Sequence, residues 1–226
     1  MRTMRLGLVL GVLLLASAAN ATVITSLVGD IDGFSGGDPA DTPFRSADVV
    51  DLLTLQGYTP LRDLDQPMTN FAMGWTHLFT IPDGHTITGA TLRVGVYPGG
   101  GFLPTDFLGL DLNVNGSAPW GEEFGPRAVI GDTLGDLPPA FTTTEITFDL
   151  SAVLMRPGEV GSPSLFNLLP HVVDGEFNVL LADDMGLDYS ILTVHTAPVP
   201  EPSTVLLLGP TLFGLGALAW RGHLRR

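Results

Sequence analysis

The stretch Ala90-Thr-Leu-Arg-Val-Gly-Val96 decides the fold class of this chain. Its apolar residues alternate with small or polar ones, which is the two-residue period of a β-strand that buries one face. The stretch Leu108-Gly-Leu-Asp-Leu-Asn-Val114 repeats this alternation. Pro82-Asp-Gly84, between the apolar residues 71–81 and the strand that contains the first stretch, predicts a turn, because proline presets φ and glycine accepts a positive φ. The pattern therefore predicts paired antiparallel strands rather than helices.

Similar short apolar stretches, separated by glycine, proline and aspartate, occur along the whole middle of the chain. The predicted strands cover residues 23–28, 71–81, 86–97, 107–114, 145–150, 177–182 and 189–195. Short helices are predicted for residues 46–56 and 163–171. Many short strands with little helix are typical of an all-β fold, an antiparallel β-sandwich of the jelly-roll or immunoglobulin-like kind. We expect residues 22–197 to form one such domain.

The 226-residue chain contains neither cysteine nor lysine. Without cysteine it has no disulfides, thiolate metal ligands or cysteine nucleophiles. Without lysine it lacks the phosphate-binding lysine of a P-loop, a Schiff base and a lysine general base. The domain must therefore be stabilised by its hydrophobic core, and its length is enough for one core.

The predicted mature region is strongly acidic. Residues 22–200 contain five arginines and 23 of the 24 acidic residues of the chain, so their formal net charge is 5 minus 23, or −18. Such a charge excludes a nucleic-acid-binding surface and makes anionic ligands poor partners. It suits solubility outside the cell, divalent cations or neutral polysaccharides.

Acidic residues concentrate in two segments, residues 30–41 and residues 183–188. The first is rich in glycine, and hard oxygen ligands on a flexible loop are what calcium accepts. The spacing is not that of an EF-hand, because the glycine comes too early and no glutamate closes a 12-residue loop. The alternative is a pair of turns in which aspartate bonds its own backbone. The candidate calcium ligands are Asp30, Asp32, Asp38 and Asp183.

The sequence marks no catalytic site clearly. No two of the five histidines stand at ligand spacing, so a zinc site is not predicted. Glu122 and Glu123, beside Trp120, form a carboxylate and aromatic cluster that suggests sugar contact, with a solvated loop as the alternative. We expect a structural or glycan-binding role without catalysis. The alternative is a secreted polysaccharide-active hydrolase, whose paired carboxylates a sequence alone does not reveal.

The N-terminus has the pattern of a secretory signal peptide. Arg2 and Arg5 precede an apolar stretch, residues 6–16, and Ala19-Asn-Ala21 supplies a small-residue cleavage site. We expect signal peptidase to remove residues 1–21, so that the mature chain begins at Thr22. The alternative is an uncleaved anchor.

The C-terminus, residues 198–226, has three parts in order. The first contains three prolines, which fix φ and remove backbone donors, so it should be extended and accessible. The second, residues 203–220, has no charge and as a helix would be about 27 Å long, close to the hydrocarbon thickness of a membrane. The third is basic and favours a cytoplasmic end. Its arginines are Arg221, Arg225 and Arg226.

This order of proline motif, apolar helix and arginine cluster resembles the PEP-CTERM sorting tail of exported bacterial proteins. The resemblance covers residues 197–226. The matching motif residues are Val199, Pro200, Glu201 and Pro202. The same segment is also catalogued as an ice-binding protein C-terminal domain, a label that implies no ice binding here.

The resemblance implies a destination and partners. It implies a Gram-negative bacterium in which the membrane enzyme exosortase recognises the motif before the tail is removed. The chain would then be held transiently in the inner membrane and released to the cell surface or extracellular matrix. The family is associated with exopolysaccharide and biofilm, so exopolysaccharide is an expected partner.

Overall fold

The computed structural model of the protein describes residues 21–34, 42–55, 63–64, 71–98, 107–110, 127–129, 143–156, 162–183 and 185–199. These residues confirm an all-β fold with antiparallel pairing. The strands are β1 (Thr22–Gly29), β2 (Phe71–Leu78), β3 (His85–Pro98), β4 (Phe107–Leu110), β5 (Arg127–Val129), β6 (Thr144–Asp149), β7 (Val153–Met155), β8 (Ser164–Phe166), β9 (Glu176–Asp183) and β10 (Met185–Pro198). The helix α1 spans Ala47–Leu55, and a 3₁₀ turn spans Leu169–His171.

Eight of these strands form two four-stranded sheets. The first sheet has the order β1-β10-β3-β6, and the second sheet has the order β2-β9-β4-β5. β7 and β8 form a separate pair. All of these pairings are antiparallel. β9 and β10 follow each other in sequence but belong to different sheets, so the chain passes from one sheet to the other between them.

The alternation that predicts β3 is confirmed in its side chains. Leu92, Val94 and Val96 are fully buried, whereas Arg93 between them is partly exposed. In the neighbouring strand, Leu192 lies opposite Leu92 and is also buried. The two-residue period therefore gives the first sheet one face that packs in the core.

Buried side chains from both sheets belong to one hydrophobic cluster. From the first sheet it includes Leu92 and Leu192, and from the second sheet Trp75, Val179 and Leu181. Burying a large apolar side chain contributes roughly 1.5–3 kcal/mol. This cluster supplies the stability that a chain without disulfides requires.

The helix α1 packs on β2 and is fixed at its start by a buried polar network. Ser46 accepts the Val49 N–H at 3.4 Å with its hydroxyl, the contact of an N-cap residue. The same hydroxyl donates to Asn178 at 2.9 Å, and the Thr76 hydroxyl donates to the same amide oxygen at 2.7 Å. A Cβ on Gly74 would lie 2.6 Å from a Val49 methyl group, so glycine allows the helix to approach. The predicted helix over residues 46–56 is thus confirmed.

The predicted helix over residues 163–171 is wrong. Its first part is β8, which pairs with β7, and its last part is the 3₁₀ turn. Leu165 is 70 % exposed, and the Leu168 N–H donates to the Leu150 carbonyl at 2.7 Å instead of forming a helical bond. Pro170 lies in the first turn of the 3₁₀ segment, where its missing N–H costs nothing.

Other strand boundaries also differ from prediction. β2 ends at Leu78 rather than at residue 81. One further bond in the register of β2 and β9 follows it, from the Phe79 N–H to the Gly175 carbonyl at 3.0 Å. β5 and β7, each three residues long, were not predicted. β4 confirms the start of the strand predicted from residue 107, and residues 111–114 lie outside the described ranges.

The predicted signal peptide and sorting tail fall almost entirely on residues 1–20 and 200–226, which are outside the described part of the chain. This includes the apolar stretch of residues 203–220 and the three arginines that follow it. Among the residues that are described, no helix has the length and apolar character needed to cross a membrane.

Candidate functional site

The acidic segment after β1 begins at a glycine with a left-handed backbone. Gly29 has a φ of 77°, a conformation that glycine adopts without steric cost. A Cβ at this position would lie 2.3 Å from the carbonyl oxygen of Asp188. Glycine therefore allows β1 to end in close contact with β10, and Asp30 follows at this contact.

Asp188 reaches the segment because β10 contains a bulge. Leu187 pairs with Val96 of β3. The next paired residue is Tyr189, which lies opposite Gly95, so Asp188 has no partner residue in β3. An extra residue in one strand redirects a side chain and bends the strand. The Asp188 side chain is thereby directed to the loop after β1, and Asp188 is only 2 % exposed.

The Asp188 carboxylate holds that loop by hydrogen bonds to its backbone. It accepts the Asp32 N–H at 3.4 Å and also the N–H groups of Gly33 and Phe34. The Phe34 ring packs against the Tyr97 ring of β3 with 5.2 Å between centroids. The loop is therefore fixed against two neighbouring strands of the first sheet.

Three carboxylates converge at this point. One oxygen of each of Asp30, Asp32 and Asp188 lies within 4.8 Å of the others. Asp188 is buried, Asp30 is half-buried and Asp32 is exposed. Like charges at this separation repel each other, and a hard cation with oxygen ligands would relieve the repulsion. The geometry is therefore compatible with calcium reached from the solvent side.

The charge state of Asp188 reflects opposing effects. Burial raises the pKa of the Asp188 carboxyl above its ordinary value, and the nearby Asp32 carboxylate acts in the same direction. The loop N–H groups lower that pKa because they stabilise the ionised form. The hydrogen bonds from these N–H groups hold the loop against Asp188 without an ion. A bound cation would therefore strengthen an interaction between the loop and Asp188 that already exists.

The structure brings together two of the four predicted calcium ligands, Asp30 and Asp32. Asp38 lies outside the described residues, and so does the side chain of Asp183, whose backbone ends β9 opposite Phe71. Asp188, which the sequence places in a second acidic segment, joins the first segment instead. Asp188 reaches the first segment through the bulge in β10. A bulge is a property of the pairing between strands, so no local sequence pattern locates Asp188 at this site.

A second polar cluster surrounds a buried histidine. His77 on β2 is fully buried and contacts Ser190 of β10 at 2.8 Å through Nε2 and Ser26 of β1 at 3.2 Å through Nδ1. Burial lowers the pKa of His77 to about 3, and a hydrogen bond to Ser26 opposes this only in part. The imidazole is therefore neutral at pH 7.

Serine and histidine at this distance resemble a nucleophile and its base, but the surroundings argue against catalysis here. A catalytic base works best with a pKa near the operating pH, and that of His77 is far below it. Ser190 is fully buried, so no substrate reaches its hydroxyl. The cluster instead joins β2 of the second sheet to β1 and β10 of the first sheet.

A third cluster lies where β10, β3 and β6 are neighbours. Tyr189 packs over Gly95, where a Cβ would lie 2.5 Å from the ring, and its hydroxyl donates to Glu145 at 2.5 Å. Arg93 lies 3.5 Å from the same carboxylate and 5.9 Å from the centre of the tyrosine ring. Burial, and then the hydrogen bond to Glu145, raise the pKa of Tyr189 to about 12. The cluster ties three strands together.

A groove of about 420 Å³ lies beside β1. The described residues that line it carry no charge, although the chain as a whole has a net charge of −14. Three of its apolar side chains, Leu27, Phe44 and Leu78, are 54 %, 55 % and 52 % exposed. The hydroxyl-bearing lining residues are Ser26, Thr42 and Thr76.

The residues predicted for sorting and for sugar contact are mostly outside the described ranges. Of the motif, Val199 is described and is 49 % exposed, whereas Pro200, Glu201 and Pro202 are not described. The cluster of residues 120–123 is also outside the described ranges.

Comparison with known proteins assigns no family to the chain. No protein-family model matches it, and no curated protein matches it. Among solved structures, a β-porphyranase of glycoside hydrolase family 86 from the human gut bacterium Bacteroides plebeius aligns at 14 % identity with a TM-score of 0.30, covering 61 % of this chain and 20 % of that one. The Agl-KA catalytic domain aligns at 12 % identity with a TM-score of 0.19, covering 81 % of this chain and 26 % of that one. The chain thus spans about a fifth to a quarter of the length of these two structures, and similarities this weak establish no relationship.

Proposed function

We propose that this chain is an exported protein of the Gram-negative cell surface or extracellular matrix, sorted by its C-terminal tail. The observation that carries the proposal is the order of three parts in residues 198–226: a Pro-Glu-Pro motif, an uncharged stretch of membrane-spanning length and an arginine cluster. The signal-peptide pattern of residues 1–21 supports the same route at the other end of the chain.

The described end of the domain is compatible with processing. β10 ends at Pro198, and the Val199 N–H donates to the Gly84 carbonyl at 2.7 Å. Val199 is 49 % exposed. A membrane enzyme that grips the motif needs access to the chain at this point, and the exposure of Val199 supports that access.

We infer further that the two sheets form a β-sandwich of the jelly-roll or immunoglobulin-like kind, with a structural or glycan-binding role. The shared hydrophobic cluster, with Leu92 from the first sheet and Val179 from the second, supports stacking of the sheets. The acidic charge of the predicted mature region favours a neutral polysaccharide over an anionic one.

Processing of the tail tests the proposal. The chain is expressed in a host that carries exosortase, and material from the cell surface is digested and examined by mass spectrometry. Peptides from the β domain should be found, and peptides from residues 206–226 should be absent. The double change Pro200→Ala, Pro202→Ala should retain the tail on membrane-associated protein.

A variant just outside the motif serves as the matched control. Pro198→Ala removes a proline from the same segment and should be processed like the wild type. An intact C-terminus on wild-type surface protein would mean that the tail is a membrane anchor that is not removed. Equal processing of the motif variant and the wild type would show that the motif is not what the enzyme reads.

A further inference from the structure

Within the described part of the chain, one edge of β1 is unpaired and lacks the usual protection. β1 is the outermost strand of the first sheet, and within the described part of the chain only β10 pairs with it. Its eight residues, Thr-Val-Ile-Thr-Ser-Leu-Val-Gly, contain no charge and no proline. Natural proteins usually protect an edge with charged side chains, proline or bulges, because its unpaired N–H and C=O groups accept another strand.

Two other edge strands of the same fold do carry protection. β6, at the opposite end of the first sheet, presents exposed Glu145 and Asp149. β2, an edge of the second sheet, is covered by a neighbouring segment, because the Thr76 N–H donates to the Phe44 carbonyl at 2.9 Å. The lack of protection is therefore specific to β1 among these three edges.

The strand with this unpaired edge also has apolar side chains that are more than half exposed to solvent. Val23 is 58 % exposed and Leu27 is 54 % exposed, and with Thr25 between them they share one face of β1. The uncharged groove described above borders the second half of this strand, where Phe44 and Leu78 are also about half exposed. Exposed apolar side chains that adjoin one another without charge are a feature of interaction surfaces.

We propose that the occupant of this edge is β1 of a second copy of the chain, paired antiparallel about a two-fold axis through Thr25. In such a pair, directly opposite residues have side chains on the same face. An axis at Thr25 places Val23 of each copy opposite Leu27 of the other, so the exposed apolar side chains cover each other. A shift by one residue would place each of them opposite a residue of the inner face.

Charge favours the same occupant. Two copies that each carry −14 repel each other over most of their surfaces, and they can approach closely only where both surfaces are uncharged. β1 and the lining of the groove form such a strip on the described part of the molecule. A single eight-residue strand is therefore complementary to itself in charge, in apolar content and in register.

The absence of cysteine from the chain makes this register directly testable. In the Thr25→Cys variant of the full chain, the two introduced thiols lie on the axis. Opposite Cα atoms in an antiparallel pair are about 4.5–5.5 Å apart, within the range that a disulfide bridges. Mild oxidation should convert most of this variant to a covalent dimer. Thr147→Cys, on exposed β6 at the other end of the same sheet, is the matched control and should stay monomeric.

Mixing two variants tests the register itself. Val23→Cys and Leu27→Cys, oxidised as an equimolar mixture, should give mainly the mixed dimer, since these positions are opposite each other. Each variant oxidised alone should give little dimer. Equal cross-linking of all variants, including Thr147→Cys, would indicate random collision and would overturn the proposal.

The unmodified chain must also associate. Light scattering coupled to size exclusion should give the wild type twice the mass of one chain, and Thr25→Lys should halve that mass by placing two like charges side by side. Thr147→Lys should leave the mass unchanged. A wild type that is monomeric at every concentration examined would overturn the proposal. Should Thr25→Lys fail to fold, the cysteine variants still decide the question.

Discussion

The buried His77 predicts a measurable loss of stability in mild acid. Its imidazole is fully buried and contacts Ser26 and Ser190, and burial lowers its pKa to about 3. In the unfolded chain the pKa of histidine is about 6.5. Between these two values the unfolded chain binds a proton that the folded chain does not, so the free energy of unfolding falls as the pH falls.

The size of the effect follows from the pKa difference. Each pH unit between the two pKa values changes the free energy of unfolding by about 1.4 kcal/mol. From pH 6.5 to pH 4 the His77 contribution should therefore amount to about 3 kcal/mol. Small domains are typically stable by about 5–15 kcal/mol, so this one side chain decides much of the acid sensitivity.

Urea unfolding at a series of pH values from 7 to 4 measures this contribution. The wild type is compared with His77→Gln, which keeps a polar group near the two serines but does not titrate. The variant is expected to be less stable at pH 7 but to lose about 3 kcal/mol less than the wild type on going to pH 4. Thr147→Gln, at an exposed position of β6 that does not titrate, is the matched control and should keep the wild-type slope.

Only the difference between the wild type and a variant in how the free energy of unfolding changes with pH isolates His77, because other groups titrate in the same range. Carboxylates also bind protons near pH 4, but they are common to the wild type and both variants and cancel in the difference. Parallel stability curves for wild type and His77→Gln would refute the reasoning. They would mean that the histidine is protonated in the folded chain and that the cluster is open to water.

The contact between α1 and β2 gives a further prediction: Gly74→Ala should cost roughly 1–3 kcal/mol in urea unfolding, because its Cβ would lie 2.6 Å from a helix side chain. Gly89→Ala, with no atom within 4 Å of the new Cβ, should be close to neutral, and equal effects would contradict the packing argument. For the carboxylate cluster, millimolar calcium should raise the melting temperature more than sodium at equal ionic strength, and the double change Asp30→Asn, Asp32→Asn should abolish the excess. Equal shifts with both salts would reduce the effect to screening, and the loop would be held without an ion by the N–H bonds of Asp188 and the contact between Phe34 and Tyr97.

The strands of the first sheet are largely predictable because their signal is local. In β3 the alternation of buried and exposed side chains is written in consecutive residues, and Arg93 cannot lie in the core between Leu92 and Val94 without breaking it. The helix α1 is predictable for a similar reason, since Ser46 lies immediately before it and caps its first turn. In these elements the local preference and the final environment agree.

Residues 163–171 show where a local pattern fails. Their apolar residues fit a short helix as well as a strand, and a segment this short contains too few turns for its period to decide. The outcome is set by distant partners, because Leu165 lies opposite Leu154 of β7 and Leu168 bonds to Leu150. Nothing in the nine residues themselves specifies those partners.

The carboxylate cluster depends on a bulge, and this is why its full composition does not follow from the sequence. In a regular strand Leu187 and Tyr189 would share one face, and Asp188 would point to the other. Instead Leu187 joins the hydrophobic core, and Tyr189 packs over Gly95 beside the exposed Glu145. One extra residue in β10 allows Leu187 to face the core while Tyr189 packs over Gly95. It also directs the Asp188 carboxylate to a loop 156 positions earlier in the chain. The bulge arises from the packing of Leu187 in the core and of Tyr189 against β3. The carboxylate cluster is therefore determined by the pairing of the strands and not by the spacing of its aspartates.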